Sequence, residues 1–439
     1  YSADIWEING ARHAERAAGR EIFWEDKMIT RLLRPEESWR WDQVMAVAFE
    51  GNFDIEKAET EAQREKTAEE KREQARNRCF GSFSDDEKIL YGCVNSREYT
   101  CRFDGGTYKL GGVGGVSTLP PYRRKGAIRA SITASLRDMY ENGFTFSYLF
   151  PFSTQYYRKF GYEAAAEARE WTLPLSALRP KDVGGTVEQI FPGGDFSPLL
   201  EVHSACFADC IMSVMRDRYD AGLEKANLMD EQRYVYVWRC DAGTPRGVMI
   251  AHKKQTPEGA VLDCCHTFGA GNENDFLFCD MEALSGLLFF AKSAFSADYD
   301  KIRFMTRREI DLSALVGENN EAACRMFWNG MLRVVDVRRV LENCRCRGAG
   351  CVRIAVEDAI LPENTGTWKL TFAPNSANLV EKTEEQPDAS LTINAFSALI
   401  CGARDTQSLA WMPDVAVHNT AAPFGGVFYA KPCFMLDLF

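Results

Sequence analysis

A basic turn after a glycine-rich strand is the part of this sequence best suited to bind an anion. The strand, residues 111–118, leads into Arg123-Arg124-Lys125-Gly126, and a helical pattern follows. The first N–H groups of a helix have no internal partners and carry partial positive charge, so the successive amides of Lys125 to Arg129 can surround phosphate oxygens. Gly126 permits a close approach of the ligand. These residue types suit a pyrophosphate group.

The charge of the chain separates this turn from its surroundings. Arg123, Arg124, Lys125 and Arg129 place positive charge together, whereas the chain has 52 Lys and Arg against 63 Asp and Glu and a net charge of −11. The pattern favours a compact anion here, opposes nucleic acid or anionic membranes as partners, and fits a cationic amine substrate. The alternative is an ordinary solvated surface, because short basic stretches at a turn often have no function.

Composition and cysteine usage indicate a reduced protein of the cytoplasm. Apolar residues make up 46% and charged residues 26%, as in ordinary globular chains. No apolar run reaches the ~18 residues that span a bilayer, and the first residues lack a signal pattern. The fifteen cysteines are therefore expected to be free, mostly buried thiols. Cys344, Cys346 and Cys351, and the run 263–266, lack the paired spacing of a zinc site, so no metal is expected.

The 439 residues are enough for about three domains of roughly 150 residues each. Residues 1–169 alternate strands and helices, which predicts a mixed α/β domain. Its main helix shows Ile128, Ile132, Leu136 and Met139 at helical spacing, and a strand at 144–150 and a short helix at 154–159 follow. Residues 54–78 are almost entirely charged residues, Gln and Ala. Such a composition predicts a solvated helical insertion without an apolar face.

Residues 170–328 repeat this order more weakly. Strands are predicted at 234–239, 248–252 and 260–268, followed by a helix at 281–295 and a strand at 301–305. The turn before that helix, residues 269–276, contains two acids and no Arg or Lys, so it is poorly suited to a polyphosphate. We interpret this repeat as a catalytically silent copy. Residues 329–439 predict a separate α+β domain.

The stretch from Val116 to Arg129 resembles the pyrophosphate loop of GNAT acetyltransferases, which is Arg or Gln, two residues, Gly, one residue, and Gly or Ala. Ile128 departs from the final small residue, and a large aliphatic at this point is similar to the Eis branch. That branch also has a Tyr-x-x-Phe-Gly-Tyr segment, which matches residues 157–162. The resemblance covers the whole chain and implies two tandem GNAT-like mixed-sheet domains followed by a sterol-carrier-protein-like α+β domain.

The resemblance implies a role for each matching residue in binding acetyl-CoA. Main-chain groups of Val116, Ser117 and Thr118 would pair with the pantetheine arm, and Ser153 would add a contact. The pyrophosphate would be bound by the basic turn and the helix start, that is, by Arg123, Arg124, Lys125, Gly126, Ala127, Ile128 and Arg129. No metal is implied.

The resemblance also implies the two groups that move protons. Tyr157 matches the general acid, where a phenol of pKa ~10 can protonate a departing thiolate whose conjugate acid has a pKa of ~8.5. The general base would be the terminal carboxylate of Phe439, whose burial in the apolar tail would raise its pKa from ~3.5. The structural alternative for Tyr157 is an aromatic cluster with Tyr156, Phe160 and Tyr162.

Acidic residues are candidates for binding a cationic acceptor. Glu50 lies at the helix-to-insertion junction that resembles the substrate cleft of the family, and Asp437 and Asp54 are the alternatives. The family often has an acid directly before its terminal Phe, whereas this chain has Leu438 there. All three acids could also be ordinary surface residues.

Together these features predict an acetyl-CoA-dependent N-acetyltransferase. It would acetylate a primary amine of an aminoglycoside-like molecule, a polyamine or a lysine by direct transfer in a ternary complex. The resemblance further implies a homohexamer. A rival hypothesis from another class is a non-catalytic scaffold or apolar-ligand-binding protein with a vestigial acetyltransferase core. The intact Arg123, Arg124, Gly126 and Tyr157 argue against such decay.

Overall fold

A computed structural model describes residues 28–217, 233–257, 259–265, 275–316 and 322–438 of the chain. The described strands form three sheets of seven, eight and five strands. Helices alternate with the strands along the chain in all three parts. The predicted multidomain α/β and α+β class is confirmed. Within the described ranges, no helix has both the length and the apolar content needed to cross a membrane.

The first sheet has the order β1-β2-β3-β4-β5-β15-β6. Its β4–β5 pair is parallel and its other pairs are antiparallel. These strands are β1 (Met28–Leu32), β2 (Asn77–Ser84), β3 (Leu90–Phe103), β4 (Gly106–Thr118), β5 (Phe146–Leu149), β6 (Glu163–Ala164) and β15 (Met331–Val334). Its helices are α1 (Ser38–Ala48), α2 (Ile55–Gln63), α3 (Ala68–Arg76), α4 (Ala127–Glu141) and α5 (Thr154–Arg158).

The long hairpin of β3 and β4 is set by its turn. Asp104 and Gly105 have φ of 47° and 93°, and Phe103 faces Gly106 across the turn. A two-residue Asp-Gly turn with both φ positive matches the right-handed twist of the flanking strands. The hairpin therefore fixes the register of β4, the strand that leads to the basic turn.

Helix α4 forms where the apolar spacing predicts it and packs on β4. Ile132, Leu136 and Met139 are buried on its inner face. A Cβ on Gly111 of β4 would lie 2.6 Å from the terminal methyl of Met139, so glycine there lets the helix approach the sheet. Gly143 ends the helix with φ of 76°, and the N–H of Phe144 donates to the Met139 carbonyl at 2.9 Å, as in a left-handed helix cap.

The charged segment 54–78 contains α2 and α3, and neither helix has a buried residue. Asp54 caps α2 by accepting from the N–H of Lys57 at 3.0 Å. Thr67 and Glu70 cap α3 reciprocally. Local caps and charge pairs thus support helices that bury no apolar stripe.

The second sheet repeats the arrangement of the first. Parallel β11 and β13 are joined through α7, as β4 and β5 are joined through α4. The sheet order is β14-β7-β13-β11-β10-β9-β8, with β12 beside β10. The strands are β7 (Glu167–Pro174), β8 (Thr186–Ile190), β9 (Arg233–Arg239), β10 (Pro245–Thr256), β11 (Gly259–Asp263), β12 (Phe276–Phe278), β13 (Lys301–Arg307) and β14 (Ala323–Trp328), and the helices are α6 (Ser197–Cys206) and α7 (Met281–Phe295). Of the acidic turn predicted at 269–276, residues 269–274 lie outside the described residues.

The third sheet has the order β18-β17-β16-β19-β20. Its strands are β16 (Gly350–Glu357), β17 (Gly366–Phe372), β18 (Leu379–Thr383), β19 (Ala389–Thr392) and β20 (Val415–Val417), with helices α8 (Val337–Asn343) and α9 (Ile393–Ile400). The strand Met331–Val334, which the sequence places at the start of the third domain, pairs with β5 and β6 of the first sheet. Its apolar residues complete the first core, so the first and third domains are interleaved in the chain.

Candidate active site

The pairing of the two central strands of the first sheet, β4 and β5, ends at one position. Val113 of β4 faces Leu149 of β5 in their last register pair, where β5 ends. Residues 114–118 of β4 extend past that end, still paired with β3 on their other side. The predicted pantetheine-binding residues Val116, Ser117 and Thr118 all lie on this extension. A strand edge beyond its neighbour offers main-chain donors and acceptors to an extended ligand.

Helix α1 covers the same part of β4. Gly115 has φ of 58°, and a Cβ there would lie 3.1 Å from Nε1 of Trp41. The Ser117 hydroxyl lies 3.4 Å from the sulfur of Met45. The Trp41 Nε1 is buried and has no hydrogen-bond partner among the described residues. Sequence reasoning missed Trp41 and Met45, whose apolar character indicated only helix packing.

The basic turn contains two residues with a left-handed backbone. Arg124 has φ of 64° and Gly126 has φ of 90°. Gly126 is the N-cap of α4 and no side chain caps the helix. The first internal bond runs from the N–H of Ala130 to the Gly126 carbonyl at 3.0 Å, which leaves the amides of Ala127, Ile128 and Arg129 as the free helix start. Open space surrounds the position of a Cβ on Gly126, so its left-handed φ is what requires glycine.

The charges at the turn are available to a ligand. Arg123, Arg124 and Arg129 are exposed, and within the described ranges none of them forms an ion pair. By contrast, Arg31 and Arg78 in the same sheet are each paired with a carboxylate. Unpaired cations beside a helix N-terminus create a focused positive potential.

A buried hydroxyl network holds the start of α4 against the sheet. The Ser82 hydroxyl of β2 donates to the Ala127 carbonyl at 2.9 Å. It also shares hydrogen bonds with Ser131 of α4 at 2.9 Å and with Thr30 of β1 at 2.8 Å. Ser82 and Ser131 are fully buried. Sequence reasoning missed Ser82, because a small polar residue is not distinctive in a strand that also contains Asn77, Arg78 and Ser84.

Tyr157 lies in the same apolar cluster as the β4 extension and the helix start. Its ring is 3% exposed and belongs to the cluster of Val113 and Leu149, against which Val116 and Ile128 pack. Helix α5 carries it, and Ser153 caps that helix by accepting from the N–H of Tyr156 at 3.3 Å. Within the described residues the Tyr157 hydroxyl has no hydrogen-bond partner. The structure therefore brings the basic turn, the strand edge and Tyr157 together.

The aromatic cluster expected as a structural alternative is also present. Tyr157 lies 5.4 Å from Tyr156 and 5.3 Å from Phe152 between ring centroids, and Tyr162 shares a 2.7 Å hydrogen bond with the Ser147 hydroxyl. Edge-to-face packing of this kind fixes ring orientation. The cluster is therefore the support of Tyr157 and does not exclude a chemical role for it.

The electrostatic environment of the tyrosines corrects the pKa match inferred from the sequence. Burial raises the pKa of Tyr157 well above the usual value for a phenol, and the neighbouring Tyr156 and Tyr162 add to the rise. The phenol is thus fully protonated at neutral pH but is a weaker acid than expected. Burial also raises the pKa of Tyr156, and the positive charge of Arg129 opposes that rise. Arg129 of the basic turn is therefore close to α5.

The acidic candidates occupy different environments. Glu50 is exposed at the end of α1 with φ of 55°, and it forms no ion pair within the described ranges. Asp54 is already the cap of α2. Asp437 is 8% exposed and forms a buried ion pair with Arg216, which also binds Asp275 at 2.6 Å. Asp437 thus shares one guanidinium with Asp275 inside the fold, whereas Glu50 is exposed to solvent.

The apolar C-terminal segment packs into the fold, and the structure describes it as far as residue 438. Residues 433–436 are buried. The Asn329 side-chain amide donates to the Met435 carbonyl at 2.7 Å, and the N–H of Phe434 donates to the Ile211 carbonyl at 3.1 Å. Phe439, the predicted source of the general base, lies outside the described residues.

The cysteine clusters show thiols in contact and no set of metal ligands. The sulfur atoms of Cys344 and Cys346 are 3.7 Å apart, and Cys351 is exposed on β16. Across the described ranges, no group of three His, Cys, Asp or Glu side chains is placed to hold a metal. His266 lies outside those ranges.

Comparison with known proteins identifies the domain that contains this site. Residues 30–165 match the acetyltransferase (GNAT) domain family, and residues 337–430 match the sterol carrier protein domain family. The chain carries a GNAT acetyltransferase domain. The predicted combination of this domain with a sterol carrier protein domain is confirmed, and so is the predicted N-acetyltransferase class.

One curated relative and several solved structures are similar to this chain over most of its length. The chain is 23% identical to an uncharacterized N-acetyltransferase of Streptomyces avermitilis over 316 residues, 70% of this chain and 75% of that protein. The structure is similar to a probable N-acyltransferase of Enterococcus faecalis V583, with a TM-score of 0.78, 20% identity, and coverage of 94% of this chain and 100% of that one. Eis1 from Mycobacterium abscessus gives a TM-score of 0.72, 18% identity and the same coverage. At these identities the two structures establish a shared fold.

Proposed function

We propose that this protein transfers the acetyl group of acetyl-CoA to a primary amine of a cationic acceptor by direct transfer in a ternary complex. Three features that converge in one place carry the proposal. They are the free amides of the turn at 123–129 with its arginines, which have no ion pair in the described part of the chain, the β4 edge beyond Val113, and the protonated Tyr157. Together they suit a diphosphate, an extended amide-containing arm and a leaving thiolate in series.

Each group has a defined task in the proposed reaction. The turn binds the diphosphate, and residues Val116, Ser117 and Thr118 align the pantetheine arm, so that the thioester lies beside Tyr157. The acceptor nitrogen forms a bond to the acetyl carbon as the carbon–sulfur bond breaks. The Tyr157 hydroxyl gives its proton to the sulfur, and the proton lost by the nitrogen goes to a carboxylate, for which Phe439 is the predicted source.

The acceptor is proposed to be an aminoglycoside-like molecule, a polyamine or a lysine side chain. The support is the net charge of −11 together with Glu50, which follows the helix α1 that packs on β4, is exposed, and has no ion pair among the described residues. An acidic surface attracts a polycation. We propose further that the protein is a homo-oligomer, with the hexamer implied by the resemblance to the Eis family, and that it is cytoplasmic. Light scattering of the purified protein measures the first of these.

Thiol release tests the transfer reaction directly. Acetyl-CoA would be incubated with the protein and with neomycin, spermidine or a lysine peptide, and free CoA would be followed with a thiol reagent. Acetyl transfer predicts amine-dependent release with at least one acceptor of this panel. Release that is absent from the whole panel would contradict the proposal.

Titration calorimetry with acetyl-CoA separates this function from the rival scaffold hypothesis. The enzyme is expected to bind acetyl-CoA near micromolar Kd, about −8 kcal/mol. A scaffold with a vestigial core would give no saturable heat, and that result would favour the rival.

A further inference from the structure

Helix α5, which carries Tyr157, is only five residues long. Isolated helices shorter than ~12–15 residues are marginal in water, and the last carbonyls of any helix lack internal partners. The position of Tyr157 must therefore come from groups outside α5. The structure shows which groups these are.

The Arg333 side chain contacts the residues that directly follow α5. It lies on β15, which sits between β5 and β6, the two strands that α5 connects. Its Nη1 donates to the Phe160 carbonyl at 2.6 Å. Gly161 has φ of 83°, and a Cβ there would lie 1.6 Å from the same Nη1. The glycine therefore makes room for the guanidinium directly after α5.

The buried charge of Arg333 is balanced by Asp358, in the loop after β16. Both side chains are 0% exposed, and Nη2 donates to both carboxylate oxygens at 2.8 and 2.6 Å. Asp358 also accepts from the Asn364 side chain and from the N–H of Leu361. Such additional hydrogen bonds offset part of the cost of burying the two charges, although Nε of Arg333 has no hydrogen-bond partner among the described residues.

Asn394 provides a second attachment from the third domain. It lies at the start of α9, and its side-chain amide donates to the Arg158 carbonyl at 3.0 Å and to the Tyr162 carbonyl at 2.8 Å. With Arg333, it satisfies three carbonyls between the end of α5 and β6. Asp358 and Asn394 both lie in the sterol carrier protein domain, which therefore supports α5 from its C-terminal side.

We propose that Arg333, Asp358 and Asn394 are positioning residues that hold Tyr157 at the reacting thioester, so that the sterol carrier protein domain is part of the acetyl-transfer site. The inference rests on the proposed function, in which Tyr157 donates the proton. None of the three residues is proposed to touch the substrate.

Asn394→Ala is the best variant for this test, because Asp358→Asn would leave a buried guanidinium without its carboxylate. Asn378→Ala is a matched control. Asn378 is also half-buried, also lies in the third domain, and donates to two carbonyls, those of Leu341 and Cys344, at 2.8 Å each, at the end of α8. Both variants lose two hydrogen bonds to carbonyls, and Asn378→Ala also loses a 3.5 Å contact with the Cys344 sulfur, but only Asn394 contacts the Tyr157 segment.

The expected result is a loss of kcat in Asn394→Ala of about ten- to a hundredfold, with the KM for acetyl-CoA unchanged, since small displacements of a reacting group cost this much. Asn378→Ala should keep kcat within about twofold. In a Tyr157→Phe background, Asn394→Ala should lower kcat no further, because the group that it positions is gone. Thiol release with neomycin, spermidine and a lysine peptide gives kcat for the wild type, the three single variants and the double variant.

Each outcome decides between the hypotheses. Equal kcat in Asn394→Ala and Asn378→Ala, or an undiminished effect of Asn394→Ala in the Tyr157→Phe background, would overturn the positioning role while leaving the acid role intact. Full turnover by Tyr157→Phe alone would overturn the acid role itself, and the positioning role with it.

Discussion

Val113 faces Leu149 at the point where β5 ends, and β4 continues beyond it while still paired with β3 on its other side. One side of this point carries the basic turn and the start of α4, and the other carries α5 with Tyr157. An extended thioester lying along the free edge of β4 would have its diphosphate at the turn and its sulfur near the phenol.

Substitution of Gly126 tests whether the turn geometry binds the diphosphate. Gly126→Ala forces a side chain into a φ of 90°, which costs about 1 kcal/mol of stability and should displace the first amides of α4. We expect the Kd for acetyl-CoA, measured by calorimetry, to rise about tenfold. Gly193→Ala is the control, because Gly193 has φ of 84° and equally open surroundings in the second domain. An equal rise in Kd in both variants would show that the turn has no special role.

Removal of an unpaired cation should weaken binding electrostatically. Arg129→Gln is expected to raise the Kd for acetyl-CoA about three- to tenfold, and the difference from wild type should shrink at high salt. The matched change Arg338→Gln removes an exposed arginine that is ion-paired with Glu342 on α8, so its Kd should stay at the wild-type value. A salt-independent Kd that is the same in all three proteins would contradict the assignment of the diphosphate to this turn.

Tyr157→Phe removes the proposed acid and keeps the ring. We expect kcat to fall about a hundredfold, within the usual range for a general acid, with little change in the Kd for acetyl-CoA. Tyr140→Phe serves as the control, because Tyr140 packs against the same apolar cluster from α4. Since burial raises the pKa of Tyr157, the phenol stays protonated in alkali, so kcat of the wild type should not decline between about pH 7 and pH 10. A decline centred near about pH 8 would mean that another acid is used.

The buried pair of Arg333 and Asp358 predicts a pH-dependent stability. Burial raises the pKa of Asp358, but Arg333 and its hydrogen bonds outweigh that effect and leave the pKa below its ordinary value. A carboxylate of this kind stabilises the fold above its unfolded-state pKa, and the contribution is lost as the pH falls through the folded-state pKa. Asp358→Asn should therefore lose about 3–5 kcal/mol near neutral pH, and the gap to wild type should narrow below about pH 4.

Urea unfolding at several pH values measures this gap. Glu342→Gln, which breaks the exposed pair with Arg338, should change the free energy of unfolding by less than about 1 kcal/mol at any pH. A gap for Asp358→Asn that stays constant into acid would show that the carboxylate charge is not the stabilising feature.

Local patterns predicted the elements that we propose to bind the acetyl donor, because each element follows from neighbouring residues. The spacing of Ile132, Leu136 and Met139 defined α4, and Gly126 with its basic neighbours defined the turn. The pairing of β15 with β5 and β6 could not be predicted in this way. The four residues of β15 do not indicate which strand they pair with, and β5 lies nearly two hundred positions away in the chain. Arg333 and Asn394 were missed for the same reason.

Long-range contacts also decided which acids remain available. Asp437 looked as suitable as Glu50 in the sequence, but Arg216 lies far from it in the chain and beside it in the fold. The raised pKa of Tyr157 has a similar origin, since it depends on burial among residues from several elements. Residue type and spacing identified the candidates, and tertiary packing determined their burial and their partners.

A crystal structure of the protein with CoA bound tests the central claim most directly. We expect diphosphate oxygens within hydrogen-bonding distance of the amides between Lys125 and Arg129, a pantetheine arm along residues 116–118, and the CoA sulfur beside the Tyr157 hydroxyl. A diphosphate bound elsewhere, or a sulfur remote from Tyr157, would contradict the proposed binding mode.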